Sequence, residues 1–122
     1  MITDDHLRKS YLFLRQFFVS VGEIRQAGDI EIDEIHLLLC LVFAAGADAL
    51  SNPDATRTPG LSAHTVSQMT EIPRETVRRK MQKLLAANIV TQEMGRQYAL
   101  NYDSPVVQTV FSSLVRLSPQ GG

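Results

Sequence analysis

The chain has 122 residues, of which 44% are hydrophobic and 20% charged, and its formal net charge is −1. This size predicts a single domain over 1–122, and the apolar content excludes a chain that is disordered throughout. The longest charge-free run in the first half, 35–47, is too short to span a bilayer, and Asp4 and Asp5 stand where a signal peptide has basic residues. We expect a cytoplasmic protein with no membrane partner.

The charges divide the chain into an acidic and a basic part. Residues 1–56 carry four basic and nine acidic groups, a net charge of −5, whereas 57–101 carry seven basic and three acidic groups, a net charge of +4. A basic segment of this kind indicates a surface for a polyanion, although an ordinary solvated surface has the same pattern.

The first predicted element is a long helix over 4–27, with Thr3 or Asp4 as its N-cap and Gly28 at its end. Apolar residues recur along it at alternating spacings of four and three, as in a coiled-coil seam: Leu7, Tyr11, Leu14, Phe18 and Val21. Three further residues widen this stripe: Phe13, Phe17 and Ile24. The stripe packs against its own domain, against a second copy, or against both. We expect a homodimer built from the N-terminal and C-terminal helices.

A second helix is predicted over 31–50, with Asp29 as its N-cap. Its centre is apolar on nearly all sides, which predicts a place in the middle of the fold. His36 and Cys40 lie four residues apart, a spacing that places two metal ligands on one face, but no second pair accompanies them. We therefore expect a buried, inert thiol, no metal and no cofactor. Residues 51–60 have the composition of a loop.

From residue 61 the pattern changes to two short helices separated by a break at 70–73. Ser62 is the expected N-cap of the first helix, whose inward residues are Leu61, Val66 and Met69. The second of these two short helices covers 74–87, and Pro73 fits its start. Its apolar face consists of Val77, Met81, Leu84 and Leu85. Its opposite face is polar and mainly basic, with Lys80 and Lys83 on the flanks: Arg74, Glu75, Arg78, Arg79 and Gln82.

Two short strands and a last helix complete the chain. The strands lie at 89–93 and 97–101, and Gly95 between them permits a positive φ. The last helix covers 104–117, with Ser104 as its cap and Pro105 at its first position. The fold class expected is mainly α with a small β-hairpin wing. It is a winged helix-turn-helix over 31–101, with the helix-turn-helix at 62–87, the wing at 89–101, and extra helices at both ends.

The segment 66–90, VSQMTEIPRETVRRKMQKLLAANIV, resembles the winged helix-turn-helix of bacterial transcription regulators. The run RETVRR, followed by paired leucines and a wing, is similar to both the GntR and the cyclic-AMP-receptor families. The resemblance covers 61–101, and the flanking helices resemble MarR-type dimers in outline, without a MarR motif. Neither a cyclic-nucleotide domain nor a large effector domain accompanies it. Asn88 stands where these families have glycine, and asparagine tolerates a left-handed helix end.

The resemblance implies sequence-specific binding of double-stranded DNA by a transcription regulator. In GntR-type domains the positions that match Arg74, Thr76 and Arg78 contact operator DNA. In cyclic-AMP-receptor-type domains the positions that match Arg74, Glu75 and Arg79 read bases. An arginine fork meets both acceptors of a guanine edge, and helix N-terminal amides hold phosphate oxygens.

Two further basic residues are candidate DNA contacts. Lys83, nearer the end of the helix over 74–87, is expected to touch a phosphate or to make no DNA contact, and Arg96, at the tip of the wing, is expected to touch the minor groove or the backbone.

Other functions fit the sequence less well. An enzyme is the least expected class, because the three histidines lie in different elements and no phosphate loop or nucleophile elbow is present. The alternative is a winged-helix module that binds protein and not DNA. Exposed, unpaired arginines on the helix over 74–87 favour DNA, whereas arginines neutralised by nearby acids favour a protein partner. A pocket beside the N-terminal helix is a possible site for a small-molecule effector, although no ligand-specific motif is present.

Overall fold

The computed structural model describes residues 1–51, 60–93 and 95–117, so most of the predicted loop at 51–60 lies outside the described residues. The described part of the chain is mainly helical and contains one antiparallel hairpin, as the sequence predicts. Its elements are, in chain order, α1 (Asp4–Ala27), α2 (Ile32–Ser51), α3 (Ala63–Thr70), α4 (Arg74–Ala86), β1 (Val90–Glu93), β2 (Gln97–Leu100) and α5 (Pro105–Leu117).

A capping box starts α1. The Thr3 hydroxyl accepts a hydrogen bond from the His6 amide, and the Thr3 amide donates to His6 Nδ1 at 3.0 Å. Gly28 ends the helix in an extended conformation, with φ of −163°. A Cβ atom at this position would collide with the side chain of Val106, so the glycine allows α5 to approach the end of α1.

Only one face of α1 is covered. Its second half packs along α5, where Ser20 and Ile24 are buried. The coiled-coil seam lies away from this contact, and four of its five members are exposed: Leu7, Tyr11, Leu14 and Phe18. The described part of the chain therefore leaves this stripe without an intramolecular partner, while the Phe17–Ile24 side packs inward.

The start of α2 differs from the prediction. The helix begins at Ile32, and the expected cap, Asp29, lies too far upstream. The Glu34 side chain instead reaches back from the first turn, where its Oε1 atom accepts a hydrogen bond from the Glu31 amide at 2.7 Å.

The first half of α2 runs through the core and contacts α3, α4 and β2. Leu37 and Leu38 have no exposed surface, as their place in the apolar run predicts. The second half is less covered, and the side chain of Phe43 is 68% exposed, so the prediction of burial is wrong for this end of the helix. Among the described residues, α2 alone has the length and apolar composition of a helix that crosses a membrane, as do core helices of water-soluble proteins.

The hairpin is joined to the segment before α3. Its register pairs Val90 with Leu100 and Glu93 with Gln97. Leu61 adds an isolated bridge, because its amide and carbonyl exchange hydrogen bonds of 2.9 and 2.8 Å with Tyr98. After the hairpin, Ser104 caps α5 as expected, with its hydroxyl accepting from the Val107 amide at 3.4 Å.

Candidate nucleic-acid interface

The turn between α3 and α4 is held by side-chain hydrogen bonds. Ser62 caps α3 by accepting from the Thr65 amide at 3.1 Å. Glu71 ends α3 in the left-handed region, with φ of 62°, and its amide donates to the Ser67 carbonyl. The Ser67 hydroxyl donates to the Ile72 carbonyl at 2.6 Å. These bonds fix residues 71–73, which set the direction of α4 relative to α3.

One residue of α3 is placed differently from the prediction. Val66 is fully buried, as expected, but the side chain of Met69 is 44% exposed. The reason is that Met69 lies over α2 near Cys40 at the edge of the core, where only one side of the side chain is covered.

The two faces of α4 agree with the helical pattern. Val77, Met81 and Leu84 have at most 1% exposed surface and attach the helix to the core. The predicted outer residues are all exposed: Arg74, Glu75, Arg78, Arg79 and Gln82. Thr76, near the helix start, is half-buried. A mainly basic surface therefore covers the solvent side of this helix.

The three outer arginines of α4 differ in their partners. Arg78 Nη2 lies 2.6 Å from Glu75 Oε1, and both side chains are exposed. The hydrogen bond from Arg78 lowers the pKa of Glu75, and the same bond raises the pKa of Arg78. Arg74 and Arg79 form no hydrogen bond or ion pair with the described part of the chain. Because an exposed pair is weak, Arg78 can exchange Glu75 for another anion.

The two lysines of α4 lie on a different side from the arginines. Lys80 Nζ is 2.9 Å from Glu31 Oε2 and 3.0 Å from Asp33 Oδ2, and the hydrogen bonds that it donates to these two carboxylates raise its pKa. Lys83 Nζ lies 3.1 Å from Glu34 Oε2. Both lysines are therefore neutralised by the acidic first turn of α2. For Lys83 the ion pair with Glu34 favours the second of the two expectations, no DNA contact, and a phosphate contact stays a prediction to be tested.

The hairpin carries one more exposed arginine. Gly95 and Arg96 both have positive φ, 77° and 63°, in the turn after β1. Arg96 forms no hydrogen bond or ion pair with any described residue. The hairpin is tied to α4, because Gln82 Nε2 donates to Tyr98 Oη at 3.1 Å. Arg96 is thus held on a hairpin whose position relative to the arginine face is set by direct contact.

A cleft of about 210 Å³ separates α1, α2 and α5. Apolar side chains line it, among them Phe17, Ile35 and Leu114. Ser20 also lines the cleft, and its buried hydroxyl has no hydrogen-bond partner in the described structure. The cleft lies beside the N-terminal helix, where the sequence allows a pocket for a small-molecule effector.

Comparison with known proteins does not identify the chain: no protein-family model matches the sequence, and a search of curated proteins finds no significant match.

Proposed function

We propose that this protein is a transcription regulator that binds double-stranded DNA sequence-specifically through a winged helix-turn-helix. In this proposal α3 and α4 are the helix-turn-helix, α4 enters the major groove, and the hairpin is the wing. The observation that carries the proposal is the exposed basic face of α4, whose opposite face is anchored in the core. A surface helix needs such an anchor on one side only, so its arginines are free to contact a ligand.

The chemistry of this face suits DNA. The major groove admits an α-helix, and an arginine fork matches the O6 and N7 acceptors of guanine. Arg74 and Arg79 are available for such contacts, and Arg78 becomes available when DNA displaces Glu75. Thr76 lies at the helix N-terminus, where hydroxyl and amide groups hold phosphate oxygens. Arg96 on the wing supplies a contact to the adjacent backbone or minor groove.

The lysines have a different role in this proposal. Lys80 and Lys83 bind the acidic first turn of α2 and so hold α4 at a defined orientation. The proposed DNA contacts are therefore Arg74, Glu75, Thr76, Arg78, Arg79 and Arg96, and Lys83 acts by positioning the helix.

The exposed seam of α1 supports a homodimer. Its four exposed side chains follow the heptad spacing that two helices need to interdigitate. Tyr11 and Phe18 are more than half exposed, and aromatic side chains of this kind contribute strongly to interfaces. A two-fold dimer presents two recognition helices to DNA half-sites.

A binding selection from a pool of genomic DNA fragments tests the proposal. The wild-type chain should enrich a common sequence, and the enrichment should persist when the salt concentration is raised twofold. Arg74→Ala/Arg79→Ala should lose that enrichment. The matched control is Arg8→Ala/Arg15→Ala, which removes the same charge from exposed positions of α1 and should retain it.

The second candidate is a winged-helix module that binds protein. The Arg78–Glu75 pair favours it, because a local acid neutralises one of the three outer arginines. If the wild-type chain enriches no sequence, or if both double variants behave alike, the DNA proposal is wrong and this candidate replaces it.

A further inference from the structure

We propose that His36, Cys40 and Met69 form a binding site for a soft monovalent metal ion, Cu(I), where α2 meets α3. Cys40 Sγ lies 3.5 Å from Met69 Sδ, although the two residues are 29 positions apart in the sequence. His36 precedes Cys40 by one helical turn, a spacing that places their Cβ atoms about 5–6 Å apart on one face. All three side chains line one open cavity of about 320 Å³.

The distance between the sulfur atoms suits a shared ion. Thiolate sulfur binds a metal ion of this size class at about 2.3 Å. Two sulfur ligands at that distance lie about 4.0 Å apart when the angle at the ion is the roughly 120° of a three-ligand site. Cys40 and Met69, 3.5 Å apart, need to separate by only about 0.5 Å to admit an ion between them, and the histidine completes a three-ligand set.

The ligand types select the ion. Among the residues that the structure describes, no three His, Cys, Asp or Glu side chains are grouped to hold a metal, so a hard cation or a zinc ion lacks a ligand set. A thioether is a useful ligand only for a soft ion, and thiolate with thioether ligands selects Cu(I). His36 and Cys40 alone are too few ligands for a metal site. Met69 supplies the third ligand.

Charge balance also suits a monovalent ion. Binding of Cu(I) replaces the thiol proton, which passes to solvent, and leaves a neutral copper–thiolate pair. Such a pair fits beside Leu39 and Phe43, which line the same cavity. The site depends on α2 and α3 only and does not rest on the proposed DNA binding.

The test is a titration of the reduced, full-length chain with Cu(I) under anaerobic conditions, in competition with a chromogenic Cu(I) chelator. We expect one ion per chain, ultraviolet thiolate-to-copper absorption, and release of one proton. Cys40→Ser should remove binding. Met69→Leu and His36→Gln should each lower the affinity at least tenfold, since even ligand-supporting residues contribute that much. The matched control is His64→Gln, an exposed histidine of α3 outside the cavity, which should bind as the wild type does.

Met69→Leu decides the outcome, because this side chain is partly exposed and leucine has nearly the same volume, so the variant folds. If Met69→Leu and His36→Gln bind Cu(I) as tightly as the wild type, Cys40 binds as an isolated thiol and the site does not exist. A wild-type chain that fails to compete with the chelator overturns the proposal as well. Zn(II) binding as tight as Cu(I) binding would contradict the assignment of a soft-ion site.

Discussion

Lys83 of α4 and Glu34 of α2 form an ion pair between one half-exposed and one buried group: Lys83 Nζ lies 3.1 Å from a carboxylate oxygen of Glu34, whose side chain is 1% exposed. The same carboxylate accepts the Glu31 amide at the start of α2. One buried carboxylate therefore both caps α2 and holds the C-terminal half of α4. The orientation of the arginine face depends on this pair.

The first prediction concerns this pair. Lys83→Ala leaves a buried carboxylate without its counter-charge, which destabilises a protein strongly when both partners are buried. Because half of the lysine side chain is exposed, we expect a loss of about 1–2 kcal/mol in the free energy of unfolding. Urea denaturation measures it. Lys9→Ala, which breaks an exposed pair with Asp5, is the control and should change stability by about 0.5 kcal/mol or less.

A second variant distinguishes pairing from packing. In Lys83→Ala/Glu34→Gln the buried group is neutral, so part of the lost stability should return. If the double variant is no more stable than Lys83→Ala, the lysine stabilises the fold through its alkyl chain and the ion pair is unimportant.

The second prediction separates Arg78 from Lys83 in DNA binding. Arg78 is exposed and, among the described residues, pairs only with Glu75, so Arg78→Ala should leave the melting temperature unchanged. It should lower affinity for the selected DNA about 10- to 100-fold if it holds a base edge. If it holds a phosphate, affinity falls for all sequences and the salt slope drops by about one. Lys83→Ala should leave the salt slope as it is, because its charge is already neutralised.

Glu75→Gln is the companion measurement for the same face. It removes the partner of Arg78 and one negative charge while leaving the guanidinium in place, so affinity for non-specific DNA should rise. Unchanged non-specific binding in Glu75→Gln, together with unchanged binding in Arg78→Ala, would show that this face does not meet DNA.

The backbone agrees with the prediction from the sequence where a local signal determines it. Ser62 and Ser104 cap their helices, and Gly95 has the positive φ that a tight hairpin turn needs. Asn88 has φ of 60° just after α4, in the conformation for which asparagine substitutes for glycine. The buried and exposed faces of α4 also followed from its helical period.

The structure departs from the prediction where a contact depends on which helices pack against each other. The helical period places Lys83 on the flank of α4, but only the packing of α2 shows that Glu34 faces it from 49 positions away. The contact between Cys40 and Met69 was invisible for the same reason. The end of α2 is apolar enough to be buried, yet Phe43 is exposed because the described part of the chain covers one side of it only.

The third prediction uses two glycines of the N-terminal region. A Cβ at Gly28 collides with Val106, so Gly28→Ala should lower the free energy of unfolding by about 1–3 kcal/mol. Gly22 lies within α1 with nothing near its missing Cβ, so Gly22→Ala should raise it by about 0.5–1 kcal/mol. Thermal and urea unfolding check the opposite signs. Equal effects of the two substitutions would mean that α5 does not approach Gly28.

The fourth prediction is a pH dependence of stability from the pair that joins α1 to α5. Arg116 donates to both oxygens of Glu23, at 3.1 and 2.8 Å, and these hydrogen bonds lower the pKa of Glu23 below its ordinary value of 4.5. A carboxyl whose pKa is lowered in the folded state stabilises the fold above its ordinary pKa, and this contribution is lost as the pH falls. Glu23→Gln should therefore flatten the decline in unfolding free energy below about pH 4.5. An identical decline in the variant and the wild type would show that the pair contributes nothing.

The last prediction concerns the seam of α1. Phe18 is 68% exposed in the single chain, so Phe18→Ser removes little buried surface and should leave the fold intact. In a dimer joined along the seam the same ring is covered, and its loss should raise the dissociation constant at least tenfold. Sedimentation at micromolar concentrations should give the wild type twice the 13.6 kDa of one chain and give Phe18→Ser a smaller weight-average mass.

The control for this prediction is Val19→Ser, because Val19 is also exposed but lies on the side of α1 away from the seam. Its substitution should leave the dimer unchanged if the seam is the contact. Equal dissociation in Val19→Ser and Phe18→Ser would mean that the two residues act through general hydrophobicity and not through a heptad interface. A wild-type chain that sediments as 13.6 kDa at every concentration would show that the protein is a monomer. A monomer has one recognition helix, so the DNA that it selects would then lack the paired half-sites, about one helical turn apart, that a two-fold dimer requires.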